Sequence, residues 1–530
     1  MRFREILSVL SKSSPYAVST EDEQTDPRSQ LNQIKADLYV SMPIEQRVND
    51  LINQLNAGPK QVFFLCGSSG DGKSELLIKA KQKAREHLHF HFDATHSFDP
   101  HGTAIQTLDE LFDEYESGQD SLVIGINVGM LGNYEQEGRN TLFKGAIRAY
   151  QTDKTQIAGF TFISFEDYPK YEVTRDGYRA EFAQKILANV TSPNTTLYKL
   201  YLAESKSPQD EYSQMVLTNY RLLCLPEVQR VVVELLFKAR LIRDQFLTAR
   251  GLLDFVHHLL TGPAYLFDNL FSGGDNELAE KIVDFDPALR RTKALDRFLM
   301  SSHLKLVDDD FEMFCREVEE KVGLMRLPNA KSYIRLFYIL KGCDLDSDYP
   351  KQFLPDFEEE LLQEFLDVYR LHAFYEDSPS RRERLKAFYN KKLVSALRHF
   401  INRNAPELGN KQFLVSQFDH YQIAAQLDIK PDITAIKEDK LTRPNSFIAR
   451  LKIGKEKLSF DININLFDLV ERINSGFRPS KNDRSAVILL NEIASKISLM
   501  ARESSELVVR SNTAKYKFSL DDDYIEAEEL

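Results

Sequence analysis

Residues 61–75 read QVFFLCGSSGDGKSE, an apolar run that breaks into glycines and serines and then meets a lysine. The spacing Gly67-x4-Gly72-Lys73-Ser74 fits the phosphate-binding pattern GxxxxGK[ST]. In this reading Val62 to Cys66 form a short buried strand. Gly67, Gly70 and Gly72 let the backbone turn tightly so that its N–H groups face phosphate oxygens, with Ser68, Ser69 and Asp71 completing the cradle. Lys73 is placed to reach the β- and γ-phosphates as a point charge, and the Ser74 hydroxyl to ligate Mg2+. A helix opening near Gly72 adds its positive dipole end, and Leu77, Ala80 and Ala84 share one of its faces. The alternative is a chance match in a flexible loop; the strand before it and the helix after it argue against that. The stretch is read as a nucleotide site, with ATP and Mg2+ as its cofactors.

The rest of the composition is that of an ordinary globular chain. A length of 530 residues accommodates about three or four domains. Apolar residues make up 42% and charged residues 28%, and no apolar run approaches the roughly 18 residues of a membrane span. The start, MRFREILSVLSKSS, lacks the long apolar stretch and small-residue cleavage site of a secretory signal. Cys66, Cys224, Cys315 and Cys343 are scattered without metal-ligand spacing, the usage expected of reduced thiols in a cytoplasm. A net charge of −12 argues against a uniformly nucleic-acid-binding surface and leaves room for a local basic face.

Along the chain, the polar, Ser-rich first forty residues, with STEDEQTDPRSQ, read as an extension. Ile44, Val48, Leu51, Ile52 and Leu55 mark an amphipathic helix opened by Pro43. After the loop, HLHFHFDATHSF alternates histidine with apolar residues as a half-buried strand, and TAIQTLDELFDEYES follows as a helix. SLVIGINVGML reads as a central parallel strand, NTLFKGAIRAYQ as a helix and AGFTFISFEDYP as a strand. Four strand–helix alternations predict an α/β parallel sheet with helices on both faces. Beyond residue 178 the periodicity turns helical for some 250 residues, followed by a hairpin around Gly454-Lys455, the helices NLFDLVERI and SAVILLNEIASKISLMA, and an acidic, solvated tail, DDDYIEAEEL. The expected segments are an N-terminal extension (1–40), an α/β core (41–178), a helical lid (179–300), a helical domain (301–430) and a C-terminal α+β region with the acidic tail (431–530).

Two further landmarks bear on the loop. A hydrophobic strand ending in Asp or Glu is expected to hold Mg2+ and the attacking water, yet LVIGINVG ends in Asn127, which carries no charge and is a poor base. Asn127 either faces the metal, with Asp93, Glu166 or Asp167 supplying the base from other strand ends, or senses the γ-phosphate, or is a structural residue in a turn between Gly125 and Gly129. In FLTARGLLDFVHHLLTGP, Thr248 caps a helix and Arg250 falls in its first turn, where a cation opposes the dipole and asks for an anionic partner. That start resembles the sensor-2 helix of AAA+ ATPases, whose arginine points at the γ-phosphate; the alternative is a surface arginine.

Together GSSGDGKSE, IGINVGMLGNY, FEDYPKY and LTARGLLDF, with the closing SFIARLKIGKEKLSFDININLFDLVERINSGFRPS, resemble the DptF-like ATPase subunits of bacterial DNA phosphorothioation-dependent restriction systems. The likeness spans most of the chain, although only the phosphate loop is specific by itself. The residues themselves point to a P-loop, AAA+-like core with catalytic roles for Lys73, Asn127 and Arg250. The resemblance implies action with partner subunits on DNA that lacks phosphorothioate modification. Asn127 in place of an acid departs from the general AAA+ pattern and puts independent turnover in doubt.

Other constellations are weaker. His87, His89 and His91 share a strand face without an evident fourth metal ligand, and His257 and His258 point apart on a helix. The stretch 380–403, SRRERLKAFYNKKLVSALRHFINR, gathers Arg381, Arg382, Arg384, Lys386, Lys391, Lys392, Arg398 and Arg403 against Glu383. It is a candidate double-stranded DNA or partner contact, or a face paired with acids such as those of DFEEELLQEFLD. Arg175, Arg179, Arg290 and Arg291 are candidates for an arginine acting in trans in a homo-oligomer. The competing functions are an ATP-binding scaffold or switch that hardly hydrolyses, and a P-loop kinase of a small substrate, against which the long C-terminal half argues.

Overall fold

The structure is a computed structural model that describes residues 2–13, 30–94, 103–152, 157–208, 210–245, 247–439, 445–479, 484–502, 504, 506–511, 514–521 and 524–530. The serine-rich part of the N-terminal extension, 14–29, lies outside them. The chain divides into two compact units, Met1–Glu172 with Arg179–Glu358, and Val173–Tyr178 with Glu359–Leu530.

The first unit is built on four parallel strands, β1 (Val62–Gly67), β2 (Leu88–His91), β3 (Ser121–Asn127) and β4 (Phe160–Ser164), in the order β2-β3-β1-β4. Period-two alternation along β1 explains why helices cover both faces. Phe63 and Leu65 join one buried cluster with Leu51 and Ile52 of α1 (Pro43–Ala57) and Leu77 of α2 (Lys73–Lys81). Val62, Phe64 and Cys66 join another, with Phe112 of α3 (Ala104–Ser117), Leu131 of α4 (Val128–Glu137) and Phe143 of α5 (Thr141–Gln151). Phe64 stacks on Phe162 at 4.7 Å and meets Phe112 and Phe143 edge-on, each at 6.3 Å. The α/β parallel core expected from the sequence is thus present.

Several local expectations are corrected. The run SLVIGINVGML is not one strand: it leaves the sheet at Asn127, and Val128 begins α4. An uninterrupted apolar run does not mark where a strand becomes a helix. On β2 the expected alternation fails, since His91 is buried, His89 exposed and Phe90 only half-buried. The N-terminal extension is not all polar surface. Phe3–Leu7 is a short helix whose Phe3 ring packs 5.0 Å from Tyr220, and Gln30–Leu38 buries Ile34.

Among the described residues the remainder of the first unit is mostly helical. In the second unit the helical stretch ends at Ile401, earlier than the periodicity predicts, and Gln412–Phe418 pairs antiparallel with Tyr421–Gln426. Those strands are largely half-exposed, so their apolar positions are too sparse to read as strand. They belong to a five-stranded sheet that continues through Glu506–Arg510 and Lys515–Asp521 to Tyr524–Glu529. The acidic segment is therefore an edge strand, exposed in its side chains and tied by its backbone. The hairpin around Gly454-Lys455 appears as Ser446–Ile453 with Glu456–Asn463, and the two helices after it are Ile464–Asn474 and Arg484–Arg502.

Gly125 of β3 has no room for a side chain, because an added Cβ would lie 2.4 Å from the carbonyl oxygen of Phe92 and 3.0 Å from Leu77. Gly125→Ala should force the segment after β2 away from β3 and destabilise the fold by about 1–3 kcal/mol. Denaturant unfolding checks this, and an unchanged midpoint would show that the contact yields freely.

Candidate functional site

The site forms at the carboxyl ends of the strands. β1 lies between β3 and β4, and the parallel register sets Gly67 beside Asn127 and Cys66 beside Ser164. The chain then turns through Ser68–Gly72 with Gly70 at φ +80° and Gly72 at φ +96°, left-handed positions that favour glycine. Gly72 precedes the first residue of α2, Lys73, so the unpaired N–H groups of the first helical turn open onto the same place. Ser69 is exposed, while Ser74 is half-buried.

Lys73 is only 7% exposed and its ammonium curls back over the loop. Nζ donates to the carbonyl oxygens of Gly67 (3.2 Å) and Ser68 (2.8 Å) and to Oδ1 of Asn127 (2.6 Å). All three acceptors are uncharged. Burial holds the Lys73 pKa below its ordinary 10.5, and the charges of Asp71 and Asp93 recover only part of that loss. A desolvated cation held by neutral oxygens, at the head of a helix, is an arrangement that takes an anion.

Asn127 is half-buried and stands at the N-cap position of α4, yet its side chain does not cap that helix. It serves the loop instead, through Lys73. Helix α6 (Ala249–Thr261) arrives from nearly two hundred residues downstream. Thr248 caps it by accepting the Gly251 N–H at 3.0 Å, and the Arg250 N–H donates to the Gly70 carbonyl at 3.4 Å. The structure thus brings the Arg250 segment onto the Gly67–Ser74 loop, with the Arg250 Cβ 3.2 Å from where a Gly70 Cβ would sit. Of the candidate bases, Asp93 lies close enough to bias Lys73, whereas Glu166 and Asp167 are exposed in the turn after β4. Cys66 is buried beneath the site; burial pushes its thiol up to about 12, so it is not a nucleophile.

One charged pair escaped the sequence reading. Lys170 donates to Oδ1 of Asp71 at 2.5 Å and to the Leu247 carbonyl at 2.7 Å, and the other Asp71 oxygen accepts the Ser68 N–H at 2.7 Å. No spacing signal announces a pair whose members are 99 residues apart.

The other candidates are dispersed. Among the described residues no group of three His, Cys, Asp or Glu side chains is set to hold a metal ion. His258 approaches the Asn269 carbonyl at 3.0 Å. Arg175 pairs with Glu376 (2.7 Å), Arg179 with Glu172 (3.4 Å) and Arg291 with Asp296 (2.9 Å), and Arg290 donates to the carbonyls of Asp356 and Glu358. Much of the 380–403 stretch is likewise engaged within the chain. Arg382 pairs with Asp377, Arg384 with Asp367, Arg381 with Glu376, and Lys392 with Glu364 and Glu471, while Arg403 lies over the Phe400 ring. Arg398 donates to Asn410; Lys386 and Lys391 are exposed. Among the described residues no helix is long and apolar enough to cross a membrane.

Comparison with profiles of known protein families, with curated proteins and with solved structures gives no match.

Because the Lys73 pKa is lower in the folded chain, the unfolded chain holds more protons than the folded one just below 10.5, and stability should climb as pH rises toward 10.5. Lys73→Met should flatten that slope. Denaturant unfolding of both proteins across this range decides it; parallel slopes would mean that the ammonium is not desolvated.

Proposed function

We propose that the first unit binds ATP at the Gly67–Ser74 loop as a P-loop, AAA+-like module and hydrolyses it. The observation that carries the reading is the Lys73 ammonium, buried against three neutral oxygens at the end of β1. Triphosphate oxygens are the partners such a cation lacks. The residues present suit the group: loop 67–74 supplies backbone donors and Lys73, the Ser74 hydroxyl is available to Mg2+, and Arg250 enters beside Gly70 in the manner of a lid arginine. Bound Mg2+ would neutralise charge that develops on the phosphates. Resemblance in sequence extends the proposal to an ATPase subunit of a DNA restriction complex, with partner subunits and DNA lacking phosphorothioate as its setting.

Lys73→Ala should weaken ATP binding by roughly ten- to a hundred-fold, the equivalent of about 1.5–3 kcal/mol for charge-assisted hydrogen bonds, while the fold persists. Titration calorimetry measures this, and unchanged affinity in a folded variant would remove the phosphate-loop assignment.

A second reading, a switch that binds ATP with little turnover, is favoured by one observation: the polar residue facing Lys73 from β3 is an amide and not a carboxylate. An amide orients water but does not take its proton. Basal phosphate release should therefore be weak and rise with partners or DNA, and Asn127→Ala should lower turnover more than ATP affinity. Vigorous release by the isolated chain, indifferent to Asn127→Ala, would assign the work to another carboxylate. ATP binding without release under any condition would establish the switch.

A further inference from the structure

We infer that Lys170 is a positioning residue of the phosphate loop: it cancels the one carboxylate inside the loop and ties the loop to the entry of α6. The inference rests on the phosphate-loop reading and deepens it. Asp71 is the only acid between Gly67 and Ser74, a residue type that opposes polyphosphate binding unless its charge is met. Lys170 meets it. The ion pair is closed at 2.5 Å with both side chains about nine-tenths buried, and the second carboxylate oxygen is occupied by the Ser68 N–H at 2.7 Å. The ammonium also faces the Phe182 ring at 5.3 Å.

The remaining contact gives the pair its reach. Nζ donates to the Leu247 carbonyl at 2.7 Å, three residues before Arg250, whose own N–H donates to the Gly70 carbonyl. Residues 70 and 71 are therefore held from two sides by the segment that leads into α6. One tie is a backbone hydrogen bond and the other a buried charge. The loop is left with a neutral Asp71–Lys170 pair and with Lys73 as the cation facing uncharged acceptors.

This arrangement predicts opposite signs for the two halves of the pair, which a purely structural clamp does not, because loosening a clamp from either end lowers affinity. Lys170→Met leaves a bare carboxylate and should weaken ATP binding about ten-fold, and ADP binding less, since the repulsion scales with phosphate charge. Asp71→Asn leaves a bare ammonium and should tighten ATP binding about three-fold. Asp71→Asn with Lys170→Met should return affinity close to that of the wild type.

Titration calorimetry of the full chain with ATP and with ADP reads all three, alongside thermal unfolding. A loss of affinity in Asp71→Asn, or a double variant as weak as Lys170→Met, would overturn the inference while leaving the loop assignment standing. If Lys170→Met alone does not fold, Asp71→Asn and the double variant still decide. A wild-type chain that binds no ATP would overturn the loop reading and the inference with it, and that outcome shows in the wild-type arm alone.

Discussion

The hydrogen bonds from the Lys73 ammonium to Gly67, Ser68 and Asn127 are the constraint on which the site depends. A cation removed from water is stable only where oxygens replace its hydration, and here they come from the end of β1, the loop after it and the end of β3. That requires β1 and β3 to be neighbours, parallel and in the register that aligns Gly67 with Asn127. Two residues earlier, at Gly125, the segment after β2 lies against β3 with no Cβ between them. Sheet order, strand end and loop are one problem solved together.

The two lysines at the loop are treated differently. Lys170 has a carboxylate partner, Asp71, and the pair is electrically closed. Lys73 has only carbonyl and amide oxygens, which satisfy its donors without cancelling its charge. Burial without neutralisation is why its protonated form is held below the ordinary lysine range. A site with both lysines paired would have little attraction for an anion. One with neither paired would place two like charges close together and destabilise the empty loop. The contrast between them supports the proposed nucleotide reading more than the glycine spacing does, because spacing alone says nothing about charge.

Much of this was legible in the sequence where physics is local. The glycines at 70 and 72 and the apolar strand before them are short-range signals, and the structure carries both; the helix after them is present too, but it ends at Lys81, short of Ala84, and buries Leu76, Leu77 and Ile78 in succession rather than along one face. Helix caps were legible too: Thr248 was read as a cap from its neighbours, and it caps. Other contacts that close over long sequence distances were harder to see. Lys170 looks like any surface lysine in FEDYPKY until the fold sets it on Asp71. For the basic stretch 380–403 the pairing with acids of DFEEELLQEFLD read from the sequence is present, Asp367 with Arg384 and Glu364 with Lys392, whereas the pairs with Asp377 and Glu471 were not foreseen. Where secondary structure was misjudged, the cause was pattern: exposed strands such as Gln412–Phe418 and Tyr524–Glu529 bury too little to alternate clearly.

On the proposed reading, one atom of Asn127 ties binding to chemistry. A carboxylate at that position, 2.6 Å from the Lys73 ammonium, would form an ion pair and raise the lysine pKa, leaving less attraction for an incoming phosphate. The amide holds the ammonium in the same place and leaves its charge uncancelled. What it gives up is proton affinity, since an amide oxygen is no general base. On the proposed reading the substitution therefore favours capture of the nucleotide over its consumption. On the same reading Asp93, whose charge reaches Lys73, is a candidate to supply what the amide does not.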